Sequence, residues 1–246
     1  MTQKVLAKLM SFAISDKLGL FKIAIASSCL MIVPQGQVRA ASIFIANHSF
    51  EAPIITDLSG FTTISSGTSS NNWTFAGGMN QGFLDPDIAE TAIPGNHFYG
   101  SPPNLPLGAG SQVAWSNGGT ISQTLSATLQ ANTKYTLGAF VGRRFSESFP
   151  GYNIQLLAGT TVLASSGSSV TPTVGTFAPV SFTYTSGSSG SLLGQALEIR
   201  LTSLLGSQTN YDLITLDASP IPAPSAMLGL LGFGLLGIAS TLKQKR

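Results

Sequence analysis

The sequence contains only one cysteine, Cys29, among its 246 residues. Cys29 lies in an N-terminal segment that we predict to be a signal peptide, so the mature chain would have no disulfide bond. Histidine is also scarce: His48 and His97 are the only two, which is too few for a zinc site of the usual kind. The fold must therefore be stabilised by its hydrophobic core or by a metal ion.

Charged residues make up only 9% of the chain. The formal net charge of +2 is misleading, because the basic residues are concentrated in the two terminal segments. Between residues 41 and 219 there are four basic and nine acidic side chains, a net charge of −5. An acidic body without a basic stripe argues against a nucleic-acid partner.

The N-terminal segment has the pattern of a signal peptide over residues 1–40. Four lysines precede an apolar run at residues 23–33, which is too short to span a membrane but suits a signal-peptide core. Small or modest side chains at Val38 and Ala40 predict cleavage after Ala40. A lipoprotein that begins at Cys29 is an alternative, but Leu, Met, Ile and Val follow that cysteine, and such a mature start is rarely so apolar.

The C-terminal segment contains 17 uncharged residues, 226–242, followed by a basic tip. This length is at the lower limit for a helix that crosses a hydrocarbon core of roughly 30 Å. We therefore predict a transmembrane helix, with Lys243, Lys245 and Arg246 on the cytoplasmic side. A buried amphipathic helix is the alternative, although its Gly and Leu residues do not separate onto one face.

The order of a proline motif, a short Leu/Gly helix and a basic tip over residues 220–246 resembles the PEP-CTERM sorting signal of bacteria. This resemblance implies an inner-membrane anchor, an exosortase-type processing enzyme as a partner, and release to the cell surface or extracellular polymer. The family motif is Pro-Glu-Pro, whereas this chain has Pro222, Ala223 and Pro224. This departure concerns the processing motif and not the membrane-inserting helix.

The body, residues 41–219, has the length of one domain and reads as all-β. Residues 134–142 have a period of two, which predicts a strand. One face carries Tyr135, Leu137, Ala139 and Val141, and the other carries Thr136, Gly138, Phe140 and Gly142. We predict one hairpin of residues 111–115 and 120–125 across Asn-Gly-Gly, and a second of residues 152–158 and 161–164. Residues 79–110 lack periodicity and predict a long loop, and no helix is expected. Repeated short strands favour a β-sandwich or a barrel.

Several motifs in order resemble the jelly-roll β-sandwiches of galactose-binding-like carbohydrate-binding modules. They are Asn-His-Ser-Phe-Glu at residues 47–51, Trp-Thr at 73–74, and Tyr-Asp-Leu-Ile-Thr-Leu at 211–216. The resemblance implies that the first and last strands are neighbours. It also implies that Glu51 and Asp212 lie side by side and hold a structural calcium ion, which prefers hard oxygen ligands. Without the resemblance, two solvated acids at strand ends would be the simpler interpretation.

Three further segments, residues 149–152, 155–159 and 193–201, resemble the Stig cyclases, the hapalindole-type cyclases of cyanobacteria. That resemblance implies a calcium-dependent enzyme in which an Asp acts as general acid to trigger rearrangement and cyclisation of an indole-isonitrile terpenoid. The acid stands two residues before the Asp of the closing strand, where this chain has Asn210. Because an amide cannot deliver a proton as a carboxylic acid does, the aligned residue predicts that the cyclase chemistry is absent.

Other candidate residues are less specific. Tyr99, Phe149 and Tyr152 are candidates for ligand binding, because sugar rings and apolar ligands pack on aromatic side chains; Trp115 is predicted to be a core residue. Asp85, Asp87 and Glu90 could be solvated loop acids, an acid–base pair or a second calcium site. Arg143 and Arg144 precede Glu147, which suggests either a surface ion pair or a carboxylate-binding site.

Together these patterns predict an exported, non-catalytic cell-surface or matrix protein, stabilised by calcium, that binds glycan or another extracellular polymer. The alternative is a calcium-dependent terpenoid-indole cyclase similar to the Stig cyclases. A matrix component without any ligand is a third possibility.

Overall fold

Most of the regular structure is β-strand in the computed structural model of the chain, which describes residues 40–92, 94, 108–204 and 206–221. Inter-residue contacts place all of the described residues in one compact unit. Most of the predicted signal peptide, the Pro222–Pro224 motif and the predicted membrane span at 226–242 lie outside these residues. Within the described part of the chain, no helix is both long enough and apolar enough to span a bilayer.

Seven strands, numbered in chain order, form the first sheet, sheet A. They are β1 (Ala41–Ser42), β2 (Phe61–Thr63), β5 (Asn80–Leu84), β6 (Val113–Asn117), β8 (Thr133–Gly142), β11 (Phe177–Thr185) and β13 (Thr209–Pro220). Their spatial order is β11-β8-β13-β6-β5-β2, and β1 pairs with β13. The first and last strands are therefore neighbours, as predicted, with Ala41 opposite Ala218.

Six strands form the second sheet, sheet B. They are β3 (Thr68–Ser70), β4 (Trp73–Ala76), β7 (Gly119–Thr128), β9 (Tyr152–Ala158), β10 (Thr161–Ser165) and β12 (Ala196–Ser203). Their order is β10-β9-β12-β7-β4-β3, and all of the strand pairs in both sheets are antiparallel. The described chain is thus an antiparallel β-sandwich, consistent with a jelly roll.

One hydrophobic core fills the space between the two sheets. Tyr135, Leu137, Ala139 and Val141 of β8 are at most 4% exposed, so the predicted alternation on this strand is confirmed. The largest side chains in the core include Trp73, Phe50 and Tyr211, and all three are fully buried. Burial on this scale stabilises the sandwich by roughly 25 cal/mol for each Å² of apolar surface removed from water.

One of the two predicted hairpins is wrong and the other is confirmed. Strands β6 and β7 flank Gly118, but β6 belongs to sheet A and β7 to sheet B, so the chain crosses between the sheets there. Gly119 has φ of +106°, and a Cβ on it would lie 2.7 Å from backbone atoms of Ala76, Gly77 and Gly78. Strands β9 and β10 do form a hairpin, with Thr161 opposite Ala158.

The segment predicted to be a loop, residues 79–110, contains β5 and a seven-residue helix, α1 (Pro86–Ala92). The strand was missed because four consecutive residues, 81–84, are buried and therefore do not alternate. Asp85 caps the helix: its Oδ1 accepts hydrogen bonds from the backbone N–H groups of Asp87 at 3.0 Å and Ile88 at 3.1 Å. Aspartate before a proline at the first helical position is a known start signal. Asp85 thus serves as the N-cap of α1.

Candidate functional site

The outer face of sheet A, on the side away from the core, carries a row of residues that crosses five strands. Directly opposed residues in antiparallel strands lie on the same face. The row contains Phe177 on β11, Gly142 on β8, Asn210 on β13, Trp115 on β6 and Gly82 on β5. Asn210 therefore stands in the middle, with an aromatic residue on either side.

The aromatic residues of this row belong to a second apolar cluster, separate from the core. It consists of Leu84, Ala89, Val113, Trp115 and Phe177, with Phe140 packed against it. The Phe177 ring lies over Gly142, because a Cβ on Gly142 would be 2.3 Å from the ring. On the other side, Phe61 meets Trp115 edge to face with ring centroids 6.3 Å apart. We call these residues, together with Asn210, the aromatic face.

Asn210 is the polar centre of the aromatic face and is 0% exposed. Its Oδ1 accepts a hydrogen bond from Gln208 Nε2 at 3.3 Å, whereas its Nδ2 has no partner among the described residues. A buried amide N–H without a partner costs about 1–3 kcal/mol. Most buried polar groups in folded proteins have a partner, so this unpaired N–H marks Asn210 as a candidate functional residue.

Trp115 is placed differently from the prediction, which put it in the core. Its ring lies on the aromatic face, and its Nε1 donates a hydrogen bond to the backbone oxygen of Phe83 at 3.1 Å. This hydrogen bond fixes the indole ring across β5 and β6, next to Asn210. The position is 6% exposed, so burial alone does not distinguish this second cluster from the core.

The two acids predicted to hold calcium are brought together, as the neighbouring strands require. Asp212 is 0% exposed, and burial, together with the nearby Glu51 carboxylate, raises its pKa to about 9. Asp212 Oδ1 accepts a hydrogen bond from the Leu213 N–H at 2.6 Å, but Oδ2 has no partner among the described residues. A buried carboxylate oxygen without a donor, close to a second carboxylate, is the environment that a cation satisfies.

Local structure on both sides fixes these carboxylates. Strand β13 has an irregularity between Asp212 and Thr215, where Leu213 takes a left-handed conformation with φ of +46°. Immediately after it, the Ile214 N–H donates to the His48 carbonyl at 2.9 Å. This hydrogen bond ties the opening segment, which carries Glu51, to the closing strand, which carries Asp212.

Glu51 lies in a turn that its own neighbours close. Asn47 Nδ2 donates to the Ala52 carbonyl at 2.7 Å, and the Ala52 N–H donates back to Asn47 Oδ1 at 3.0 Å. The Glu51 carboxylate accepts hydrogen bonds from the backbone N–H groups of Ser111 at 3.1 Å and Gln112 at 2.8 Å. The Asn-x-Ser-Phe-Glu motif thus positions the Glu51 carboxylate at the start of β6.

Glu51 and Asp212 are the two side chains that we consider as possible metal ligands. No group of three or more His, Cys, Asp or Glu side chains that could hold a metal occurs in residues 40–92 and 108–221, as far as the structure describes them. A calcium ion here would need backbone carbonyl groups or water as further ligands, which is usual for this ion.

Two of the three aromatic ligand-binding candidates, Phe149 and Tyr152, lie together, but against the core and not on the aromatic face. Tyr152 is 1% exposed and packs in the core between the sheets, and its hydroxyl accepts a hydrogen bond from the Val170 N–H at 3.0 Å. Phe149 packs partly buried against the same core, with its ring centroid 6.1 Å from that of Tyr152. This placement gives neither ring a role on the aromatic face. Tyr99 lies outside the described residues.

The aromatic face was not predicted from the sequence, apart from Asn210. A signal for it was present in β6, where Val113, Ala114 and Trp115 are three consecutive apolar residues. A strand with apolar side chains on both faces has both faces covered. Applied to β6, that rule would have indicated a second apolar surface outside the core.

The described chain thus combines an antiparallel β-sandwich, an aromatic outer face with a buried amide at its centre, and a buried acid next to a second carboxylate. The family model described as HpiC1 cyclase matches residues 41–217. The chain belongs to this HpiC1-like family.

Solved structures agree with this assignment. A cyclase from Fischerella sp. TAU is 28% identical and has a TM-score of 0.59, with 75% of this chain and 100% of that chain covered. A Stig cyclase from the same organism, in complex with (3Z)-3-(1-methyl-2-pyrrolidinylidene)-3H-indole, is 27% identical over the same shares with the same TM-score. A Fischerella sp. TAU cyclase in complex with 4-(1H-indol-3-yl)butan-2-one is 27% identical, with a TM-score of 0.55; 74% of this chain and 100% of that chain are covered. Curated protein sequences give no match.

These comparisons correct one prediction. The prediction of a non-catalytic protein that binds glycan or another extracellular polymer is wrong. The family model and the similar structures are those of cyclases, which supports the alternative. The resemblance of the body to the Stig cyclases is confirmed.

Proposed function

We propose that this protein is a calcium-dependent cyclase that acts on an indole-bearing terpenoid. The family match over residues 41–217 is the observation that carries the proposal. The aromatic face supports it independently, because an indole ring system is flat, apolar and polarisable, and packs well against Trp and Phe side chains. Similar structures hold indole compounds, and we extend that ligand class to the aromatic face of this chain.

The proposed reaction is an isomerisation, so atoms balance without a net proton. Asn210 does not give up a proton in it. Its Nδ2 N–H groups donate hydrogen bonds to an acceptor on the substrate and draw electron density from the reacting chain. Trp115 and Phe177 hold the indole and exclude water, and the folded substrate then brings its reacting carbons close together. Such positioning alone can supply several kcal/mol of barrier lowering, up to about 7–11 in well-oriented systems.

We propose that Glu51 and Asp212 hold the calcium ion. Their chemistry fits, because Asp212 Oδ2 is buried and without a partner and Glu51 lies nearby. Bound there, calcium would supply positive charge for both carboxylates and would link the opening segment to β13. Its role would be structural, at residues close to the aromatic face, since Asp212 follows Asn210 by two residues on the same strand.

Turnover of an indole-isonitrile terpenoid tests the cyclase function. We expect the protein with calcium to convert it slowly to an isomer of unchanged mass, detected by liquid chromatography and mass spectrometry. Asn210→Asp restores a carboxylic acid at the centre of the face, and we expect it to accelerate the reaction by about 10²–10⁴-fold, the usual contribution of general acid catalysis. Absence of product from both proteins would contradict the proposal.

We also propose that the chain is exported and carries a sorting tail at residues 220–246, on the sequence patterns described above. Expressed in a bacterium with an exosortase-type enzyme, the protein should begin at Ala41 and be released from the membrane fraction. Replacement of both Pro222 and Pro224 by alanine should leave it in that fraction. N-terminal sequencing and immunoblots of the fractions measure both results, and a mature chain that begins at Met1 would contradict export.

A further inference from the structure

A chain of three polar side chains leads to the centre of the aromatic face. Arg144 Nη1 donates a hydrogen bond to Gln208 Oε1 at 2.9 Å, and Gln208 Nε2 donates to Asn210 Oδ1 at 3.3 Å. Gln208 is 6% exposed and Asn210 is 0% exposed. Gln208 immediately precedes β13 and stands two residues before Asn210, and its hydrogen bond to Asn210 Oδ1 keeps the two side chains together.

The donors and acceptors in this row of hydrogen bonds have a fixed order, because a guanidinium group can only donate hydrogen bonds. Arg144 therefore requires the oxygen of the Gln208 amide, and this leaves the Gln208 nitrogen to face Asn210. That nitrogen is a donor, so it requires the oxygen of the Asn210 amide. The remaining group is Asn210 Nδ2, which is buried and without a partner among the described residues. The Arg144 guanidinium thus determines the orientation of both side-chain amides, first that of Gln208 and through it that of Asn210.

The arginine stays charged in this environment. Burial lowers the pKa of Arg144, and the Glu147 carboxylate opposes this effect. Glu147 in turn accepts a hydrogen bond from the Ser207 hydroxyl at 2.6 Å, next to Gln208 in the sequence. Because arginine remains protonated in proteins, the direction of the chain does not change with pH.

We propose that Arg144 and Gln208 are positioning residues that fix the Asn210 amide as a hydrogen-bond donor, so that the aromatic face selects indole ligands with a hydrogen-bond acceptor on their side chain. The inference rests on the proposed function. It adds the chemical feature by which the site distinguishes its ligand from other indoles. A ligand without an acceptor leaves the buried N–H unsatisfied. Rejection of a ligand that lacks a required polar group is more effective than rejection by the shape of an apolar pocket.

Two indole probes of similar size separate acceptor recognition from indole binding. 4-(1H-indol-3-yl)butan-2-one carries a ketone, and 3-butyl-1H-indole is its counterpart without one. Dissociation constants are measured by isothermal titration calorimetry in the presence of calcium. We expect the wild-type protein to bind the ketone about fivefold more tightly, the value of one neutral hydrogen bond.

The variant Gln208→Glu tests the direction of the chain with almost no change in shape. The carboxylate that it introduces can still accept a hydrogen bond from Arg144, but it has no N–H to donate to Asn210. The Asn210 amide must therefore flip, so that Nδ2 donates to the new carboxylate and Oδ1 points to the aromatic face. We expect the preference for the ketone to be lost or inverted. Gln155→Glu, the same chemical change on β9 in the other sheet, is the matched control and should keep the preference. Asn210→Leu, which cannot donate, should bind both probes equally.

The possible results distinguish the two proposals. Failure of both probes to bind the wild-type protein would overturn the proposed function and this inference with it. Equal affinity for the two probes would overturn the inference alone. A ketone preference that survives both Gln208→Glu and Asn210→Leu, in variants with wild-type melting temperatures, would show that another group makes the contact. Loss of the preference in both variants supports the proposal.

Discussion

Without calcium, the protein is expected to become less stable as the pH rises from 5 to 8, by on the order of 4 kcal/mol from Asp212 alone. Burial raises the pKa of Asp212 to about 9 from its ordinary value of 3.8. Between these values the unfolded chain has released a proton that the folded protein keeps. Stability therefore falls as the pH rises through this window, and the loss is complete above about pH 9.

Calcium is expected to remove most of this pH dependence, because it satisfies the ionised carboxylate. At a concentration about 100 times its dissociation constant, it should stabilise the fold by about 2.7 kcal/mol. The measurement is urea unfolding at pH 5 and pH 8, with chelator and with calcium. Other acids also titrate, so the matched variant is Asp212→Asn, which keeps the shape and cannot ionise. If the wild-type protein with chelator has the same dependence of stability on pH as Asp212→Asn, the raised pKa of Asp212 is contradicted.

The sequence predicted the strands best where burial is one-sided. Strand β8 alternates because one face packs in the core, and its pattern gives both its boundaries and its orientation. The same rule failed at β5, whose residues 81–84 are buried on both faces. Turn residues were also ambiguous. Asn-Gly-Gly permits a hairpin, but it equally permits a crossing between sheets, and only the pairing of distant strands decides between them.

Single residues of the candidate site could be predicted from the sequence, but the parts that depend on strand register could not. Asp212 and Asn210 were found by position relative to the closing strand. The aromatic face depends on which residues stand opposite Asn210, namely Trp115 on one side and Gly142 on the other. These pairings join residues about 70 to 95 positions apart, and local periodicity carries no information about them. Tyr152 shows the converse, because an aromatic residue near a predicted loop turned out to belong to the core.

The second large effect is expected from Gly110→Ala, because this glycine lies against the Glu51 carboxylate. A Cβ at position 110 would lie 2.1 Å from the Glu51 carboxyl carbon and 2.3 Å and 2.5 Å from its two oxygens. The side chain must move, and it then loses its hydrogen bonds from the Ser111 and Gln112 N–H groups. Loss of hydrogen bonds to a charged group costs about 1.5–3 kcal/mol. Calcium binding should weaken by about 10- to 100-fold, as it does when the support of a metal ligand is removed.

Gly108→Ala is the matched control for this prediction. Gly108 has φ of +95° and Gly110 has φ of +78°, so alanine is strained at both positions by about 1 kcal/mol. At Gly108, however, a Cβ would meet no atom within 4 Å. The difference between the two variants therefore isolates the displacement of Glu51 from the backbone strain. Calcium titration followed by calorimetry should show a large loss of affinity for Gly110→Ala and little change for Gly108→Ala. Equal affinities in the two variants would mean that Glu51 does not hold the ion, and the metal site would then have to be built on Asp212 with other oxygen ligands.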